Sequence, residues 1–79
     1  MPVKLMLAAT LRKYVPGYDG ATGFDLEIRP GATVGDVARQ AGIPEEQIKI
    51  VMVDGVGARL ETVLEGSERV ALFPPVGGG

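Results

Sequence analysis

The chain has no cysteine, no histidine and no tryptophan. Without cysteine, neither a disulfide nor a thiolate metal site can support the fold. Without histidine, the usual acid–base group at neutral pH and the commonest metal ligand are missing. Aromatic residues are confined to Tyr14, Tyr18, Phe24 and Phe73. Lys and Arg total 8 against 10 Asp and Glu, a net charge of −2, and no run of basic residues occurs. That balance argues against an electrostatic grip on nucleic acid. No apolar stretch approaches the ~20 residues of a membrane helix. The leading residues, Met1-Pro2-Val3-Lys4-Leu5-Met6-Leu7, lack the charged lead of a signal peptide, and cleaving them would remove a strand. The expectation is a soluble cytoplasmic protein with neither nucleic acid nor membrane as a partner; the missing cysteines fit that compartment.

What is present is a 79-residue chain that is 46% hydrophobic. That suffices for one globular domain, near the lower limit at which a core supports itself. Residues 3–8 alternate, with Val3, Leu5 and Leu7 on one side and Lys4, Met6 and Ala8 on the other, as a strand requires. Residues 10–15 read as a wide turn or short helix, and Pro16-Gly17-Tyr18-Asp19-Gly20 as a loop. In residues 23–29, Phe24, Leu26 and Ile28 alternate with Asp25, Glu27 and Arg29, a second strand with one solvated face. Thr33 and Asp36 have the spacing of a capping box. Val34, Val37, Ala38 and Ala41 follow at helical spacing, and Gly42 with Pro44 ends the helix at about 34–41. Residues 44–47 read as a single helical turn.

Residues 48–53 are almost continuously apolar, a third strand covered in part on both faces. Asp54-Gly55 is a tight-turn signal. Residues 56–60 hold a short strand, and Thr62 to Gly66 reads as one helical turn ended by glycine. Residues 69–73 form the last strand. The order is strand, strand, helix, strand, short strand, strand. The simplest closed arrangement sets the first and last strands parallel at the centre of a mixed sheet, with the helix across one face. This is an α+β fold of four to five strands.

The chain ends Phe73-Pro74-Pro75-Val76-Gly77-Gly78-Gly79. Three glycines are costly to order and pack against nothing. Such a run is useful where a carboxylate must pass through a narrow channel into another protein. Pro74 and Pro75 fix φ and favour an extended exit. From Pro74 to Gly79 the reach is at most roughly 20 Å. The reading is a globular domain over 1–73 and a glycine-rich tail over 74–79, with the α-carboxylate of Gly79 as the reacting group.

At this point a resemblance becomes specific. Leu72-Phe73-Pro74-Pro75-Val76-Gly77-Gly78-Gly79 resembles the ending of the MoaD family of molybdopterin synthase small subunits, and less closely that of the related ThiS family. Pro30-Gly31-Ala32-Thr33-Val34-Gly35-Asp36-Val37 resembles the same family's entry into its helix. One departure is the turn before the last strand, Gly66-Ser67-Glu68-Arg69-Val70, where the family reads G-D-x-V. A second is Gly77, which stands ahead of the terminal pair. The resemblance implies a ubiquitin-like β-grasp fold and a sulfur carrier, a protein cosubstrate that is not an enzyme on its own. It implies an E1-like enzyme that uses ATP and Mg²⁺ to adenylate Gly79. A sulfur donor protein would then form a thiocarboxylate, and an acceptor such as the molybdopterin synthase large subunit would take the sulfur. Two alternatives remain: a ubiquitin-like modifier conjugated through Gly79, and a plain β-grasp interaction module.

Other residues compete weakly for function. Lys4, Lys13 and Lys49 read as solvated lysines. Asp54 and Asp36 read as a turn residue and a cap, and Asp19, Asp25 and Glu27 do not read as a metal site. Gly55-Val56-Gly57 is not a phosphate loop, because no helix starts after it. No bound cofactor or metal is expected. If Val70 and Leu72 face the core, Ala71 and Phe73 face outward beside Met6 and Ala8. Either Val51 and Val53 or Ile50 and Met52 would extend this apolar patch, which is the expected partner interface. Methionine and phenylalanine suit a surface that meets more than one partner.

Overall fold

The computed structural model describes residues 2–75. Five strands form one sheet in the order β2-β1-β5-β3-β4. They are β1 (Pro2–Leu7), β2 (Phe24–Glu27), β3 (Ile50–Val53), β4 (Val56–Ala58) and β5 (Arg69–Phe73). β1 and β5 lie parallel at the centre, in the register Leu5 to Val70 and Leu7 to Leu72. The other neighbours pair antiparallel: β1 with β2, β5 with β3, and β3 with β4. The helix α1 (Val34–Gln40) supplies the crossover that a parallel pair needs.

Each element follows from local chemistry. Alternation puts Val3, Leu5, Val70 and Leu72 on the inner face, where all four are fully buried. α1 begins at a complete capping box. The Thr33 hydroxyl accepts from the Asp36 N–H at 3.1 Å, and the Asp36 carboxylate accepts from the Thr33 N–H at 3.0 Å. Val34, Val37 and Ala38 lie on the buried stripe and close over the sheet. Gly42 takes φ +80° just past the end, where a side chain would be strained. Asp54 and Gly55 are both at positive φ, 52° and 80°, the backbone of a two-residue hairpin turn that matches strand twist. Leu11, Ile43 and Leu64 close the core from the connections.

Several sequence expectations shift. The second strand is shorter than expected, Phe24–Glu27, and the third begins at Ile50, after Ile48 and Lys49. The wide turn after β1 is a 3₁₀ helix over Ala9–Tyr14. The helical turn expected over Thr62 to Gly66 does not form. Val63 instead bridges Thr33, the Thr62 carbonyl accepts from Val34 N–H at 3.0 Å, and Leu64 N–H donates to the Ala32 carbonyl at 2.7 Å. These bonds to the entry of α1 hold the segment extended and bury Leu64, which a helical turn would not allow. Among the described residues, no helix is long and apolar enough to cross a membrane.

Candidate functional site

α1 covers the inner face of the sheet and leaves the outer face open. The register settles which half of β3 lies there. Ile50 pairs with Phe73 and Met52 with Ala71, whereas Val51 pairs with the buried Leu72. Ile50 and Met52 therefore join the outer face, and Val51 and Val53 turn inward. Met6 neighbours Ala71 across the parallel ladder. Ala8 lies one residue past β1, and its N–H donates to the Leu72 carbonyl at 3.2 Å, so it stays beside β5. The predicted set Met6, Ala8, Ala71 and Phe73 is thus assembled on one face, each half-buried. Ile50 beside Phe73 is 47% exposed.

The face is graded along its length. Its apolar end holds Met6, Ala8, Ile50 and Phe73. Its other end is polar: Lys4 Nζ lies 3.0 Å from Asp25 Oδ1, and Arg69 follows Lys4 across the ladder. Arg69 N–H donates to Asp54 Oδ1 at 2.9 Å, tying the hairpin turn to the start of β5. β5 leaves the sheet at the apolar end. The Phe73 carbonyl accepts from Lys49 N–H at 2.8 Å, and Pro74 and Pro75 follow. Val76, Gly77, Gly78 and Gly79 lie outside the described residues.

Three residues beside this exit carry no functional motif in the sequence. The Tyr18 hydroxyl accepts from Leu7 N–H at 2.7 Å, closing the end of β1. Arg12 Nε donates to the Leu7 carbonyl at 3.3 Å, and its guanidinium lies 5.8 Å from the Tyr18 ring centre. Gly20 packs beneath that guanidinium: a Cβ there would sit 3.4 Å from Nη2. An aromatic inside a loop otherwise made of Pro, Gly and Asp was the available signal. At the other end of β5, Glu68 caps the turn that departs from the MoaD pattern. Its carboxylate accepts from the N–H groups of Glu65 (2.7 Å), Gly66 (2.8 Å) and Ser67 (3.1 Å). The bonds from Glu65 and then Gly66 hold this carboxyl below its ordinary pKa. The Thr33 N–H, then Arg39, do the same for Asp36. Both groups are structural caps. Among the described residues, no three His, Cys, Asp or Glu side chains gather as a metal site.

A five-stranded mixed sheet with central parallel strands and one crossing helix defines a ubiquitin-like β-grasp protein, as the resemblance implied. The chain belongs to the Mut7-C ubiquitin family, whose model matches residues 1–77. Among solved structures, the HVO 2177 protein of Haloferax volcanii is similar at 28% identity and TM-score 0.73, over 100% of this chain and 87% of that one. Small archaeal modifier protein 1 (SAMP1) of the same organism matches at 24% identity and TM-score 0.71, over the whole of both chains. A Pyrococcus furiosus protein, provisionally described as molybdopterin converting factor, subunit 1, matches at 22% identity and TM-score 0.68, over 96% of this chain and 99% of that one. No curated protein matches the chain.

Proposed function

We propose that this protein is a sulfur carrier that works through the carboxylate of Gly79. An ionised carboxylate is a poor electrophile, and the α-carboxyl is ionised near neutrality. In the proposed sequence an E1-like enzyme, with ATP and Mg²⁺, joins a Gly79 oxygen to the α-phosphorus and releases pyrophosphate. The persulfide of a sulfur donor protein then attacks the acyl carbon and AMP leaves, forming an acyl disulfide. A second thiol cleaves that S–S bond by forming a disulfide with the donor cysteine, which frees the thiocarboxylate. The resulting thiocarboxylate passes its sulfur to a small-molecule precursor, of the molybdopterin or tungsten cofactor, held by an acceptor enzyme. ATP and reduced sulfur both fit a cytoplasmic setting. This chain binds the partners and presents the tail; residues 1–73 are the body and 74–79 the thread.

The observation that supports this reading is the course of β5. A central strand anchored by Val70 and Leu72 leaves the sheet beside an apolar patch and runs, through two prolines, toward a glycine-only end. A rigid anchor, a docking face and a side-chain-free tip are what tail transfer demands. The experiment is intact mass spectrometry of the protein from its native cells, with alkylation of the thioacid. A gain of ~16 Da would be ambiguous with oxidation, and capture by the alkylating reagent identifies sulfur. The same preparation tests a second reading, favoured by the likeness to small archaeal modifier protein 1: isopeptide conjugation through Gly79. Conjugates without any thioacid would favour the modifier. Neither species would leave a plain interaction module.

A further inference from the structure

Arg12 stands out among the charged side chains by how it is held. Lys4 pairs with Asp25, and Arg39 with Asp36 at 2.9 Å and Glu45 at 3.6 Å. Arg12 pairs with no carboxylate among the described residues. Asp19 of the adjoining loop instead accepts at Oδ1 from the Ala21 N–H at 2.8 Å. Yet the guanidinium is not loose. Its Nε donates to the Leu7 carbonyl, its central carbon lies 5.8 Å from the Tyr18 ring centre, and Gly20 leaves it room. Arg12, Tyr18 and Gly20 together with Met6, Ala8 and Phe73 line a shallow hollow of about 120 Å³ at the root of the tail.

A long cationic side chain normally loses rotamer entropy when it binds, and that cost limits exposed ion pairs. Here part of that loss is already incurred in the free protein, and neither Nη group donates a hydrogen bond to another described residue. Arginine in this state is suited to bidentate pairing with a carboxylate. The adjoining patch supplies apolar contact that would exclude water around the pair. Arg12 stands beside Phe73, where β5 ends, so on the tail-activation reading its target lies at the mouth of the channel that takes the tail.

We propose that Arg12 is a docking residue that pairs with an acidic side chain on the rim of the activating enzyme's tail channel, with Met6, Ala8 and Phe73 seated on an apolar rim beside it. This rests on the tail-activation reading above. The test is pyrophosphate exchange by the E1-like enzyme of the same organism, with the carrier as the varied substrate. Arg12→Ala should raise KM for the carrier by about five-fold, the upper end for an exposed pair. Arg12→Glu should raise it about tenfold or more, with kcat unchanged in both. The wild-type kcat/KM should fall with added salt more steeply than that of Arg12→Ala. Arg29→Glu has the same change in net charge at the opposite end of the sheet and should leave KM unaltered. Thermal melts check that the Arg12 variants fold, and Arg12→Lys, which keeps the charge, should recover part of the loss. Wild-type exchange with an unchanged KM for a folded Arg12→Glu overturns the docking role and leaves tail activation standing. No exchange with wild-type protein overturns both. Equal losses for Arg29→Glu and Arg12→Glu would make the effect one of net charge and overturn the assignment.

Discussion

Phe73 and Ile50 are cross-strand partners on the outer face of the sheet, Phe73 half-buried and Ile50 47% exposed. Their pairing keeps an apolar edge open next to the point where β5 ends. A cross-strand pair of this kind contributes roughly 0.2–1 kcal/mol to stability. Phe73→Asp should therefore lower stability by about 1 kcal/mol, a Tm drop of about 4–8 °C for a domain of this size. Binding to the activating enzyme should fall far more, by about 30-fold, the scale of an aromatic hot spot. Thermal melts and a titration read the two effects separately. A Tm loss several times larger, with proportionate loss of binding, would instead make Phe73 a core residue.

Gly23 governs the other side of the same face. It sits at φ +77°, and a Cβ there would lie 2.6 Å from Met6 Sδ and 3.1 Å from the Leu5 carbonyl oxygen. The Met6 side chain can swing away, but the backbone conformation and the carbonyl cannot. Gly23→Ala should cost about 1–2 kcal/mol in chemical denaturation, the range for a left-handed non-glycine residue. Because Met6 must move, the variant should also weaken partner docking. Adding Met6→Ala should relieve only the side-chain part of the stability loss. Full recovery in the double variant would show that the clash, not the backbone, sets the cost.

These effects also mark where sequence reasoning reached and where it stopped. The helix was legible because its signals are local: Thr33 and Asp36 as a box, an apolar stripe, and Gly42 as a stop. The central parallel pair was legible because it is the simplest closed arrangement that buries two alternating strands under one short helix. The phase of β3 was not, since Ile50, Val51, Met52 and Val53 are all apolar and alternation carries no information. Pairing with β5 decides it. Thr62 to Gly66 misled because the Thr62 carbonyl and both backbone groups of Leu64 bond to residues 31–34, far earlier in the chain, and tertiary bonds override local preference. Arg12 and Tyr18 were invisible as a pair for the same reason: their shared anchor, Leu7, belongs to a different element.

Glu68 makes stability depend on pH in a defined direction. Its carboxylate is held below its ordinary value, 4.5, by backbone N–H donors that the unfolded chain does not present together. A depressed folded pKa means that the ionised form favours folding. The contribution is fully present above the unfolded value and is lost as pH falls from about 4.5 through the folded pKa. Glu68→Gln should be less stable than wild type at pH 7, and the gap should shrink below pH 4.5. Urea denaturation of both proteins across this range reads the difference directly. A gap that stays constant with pH would remove charge from the role of this cap.

The last prediction concerns the tip of the chain. Among the described residues, the thirteen buried apolar ones all lie between Val3 and Leu72, so the core of the globular body is built without Gly79. Deleting Gly79 should leave the melting temperature and the amide spectrum of the body unchanged. It also shortens the reach of the thread by ~3.3–3.6 Å. A near-attack geometry allows reacting atoms to be only about 3–3.5 Å apart, so a carboxylate one residue short misses the α-phosphorus. Pyrophosphate exchange should therefore vanish while binding through Phe73 and its neighbours persists, and the truncated protein should compete with wild type for the activating enzyme. Retained exchange by the truncated chain would mean that the glycine end is not the reacting group. Loss of both exchange and competition would mean that the tip, rather than the sheet face, supplies most of the docking energy.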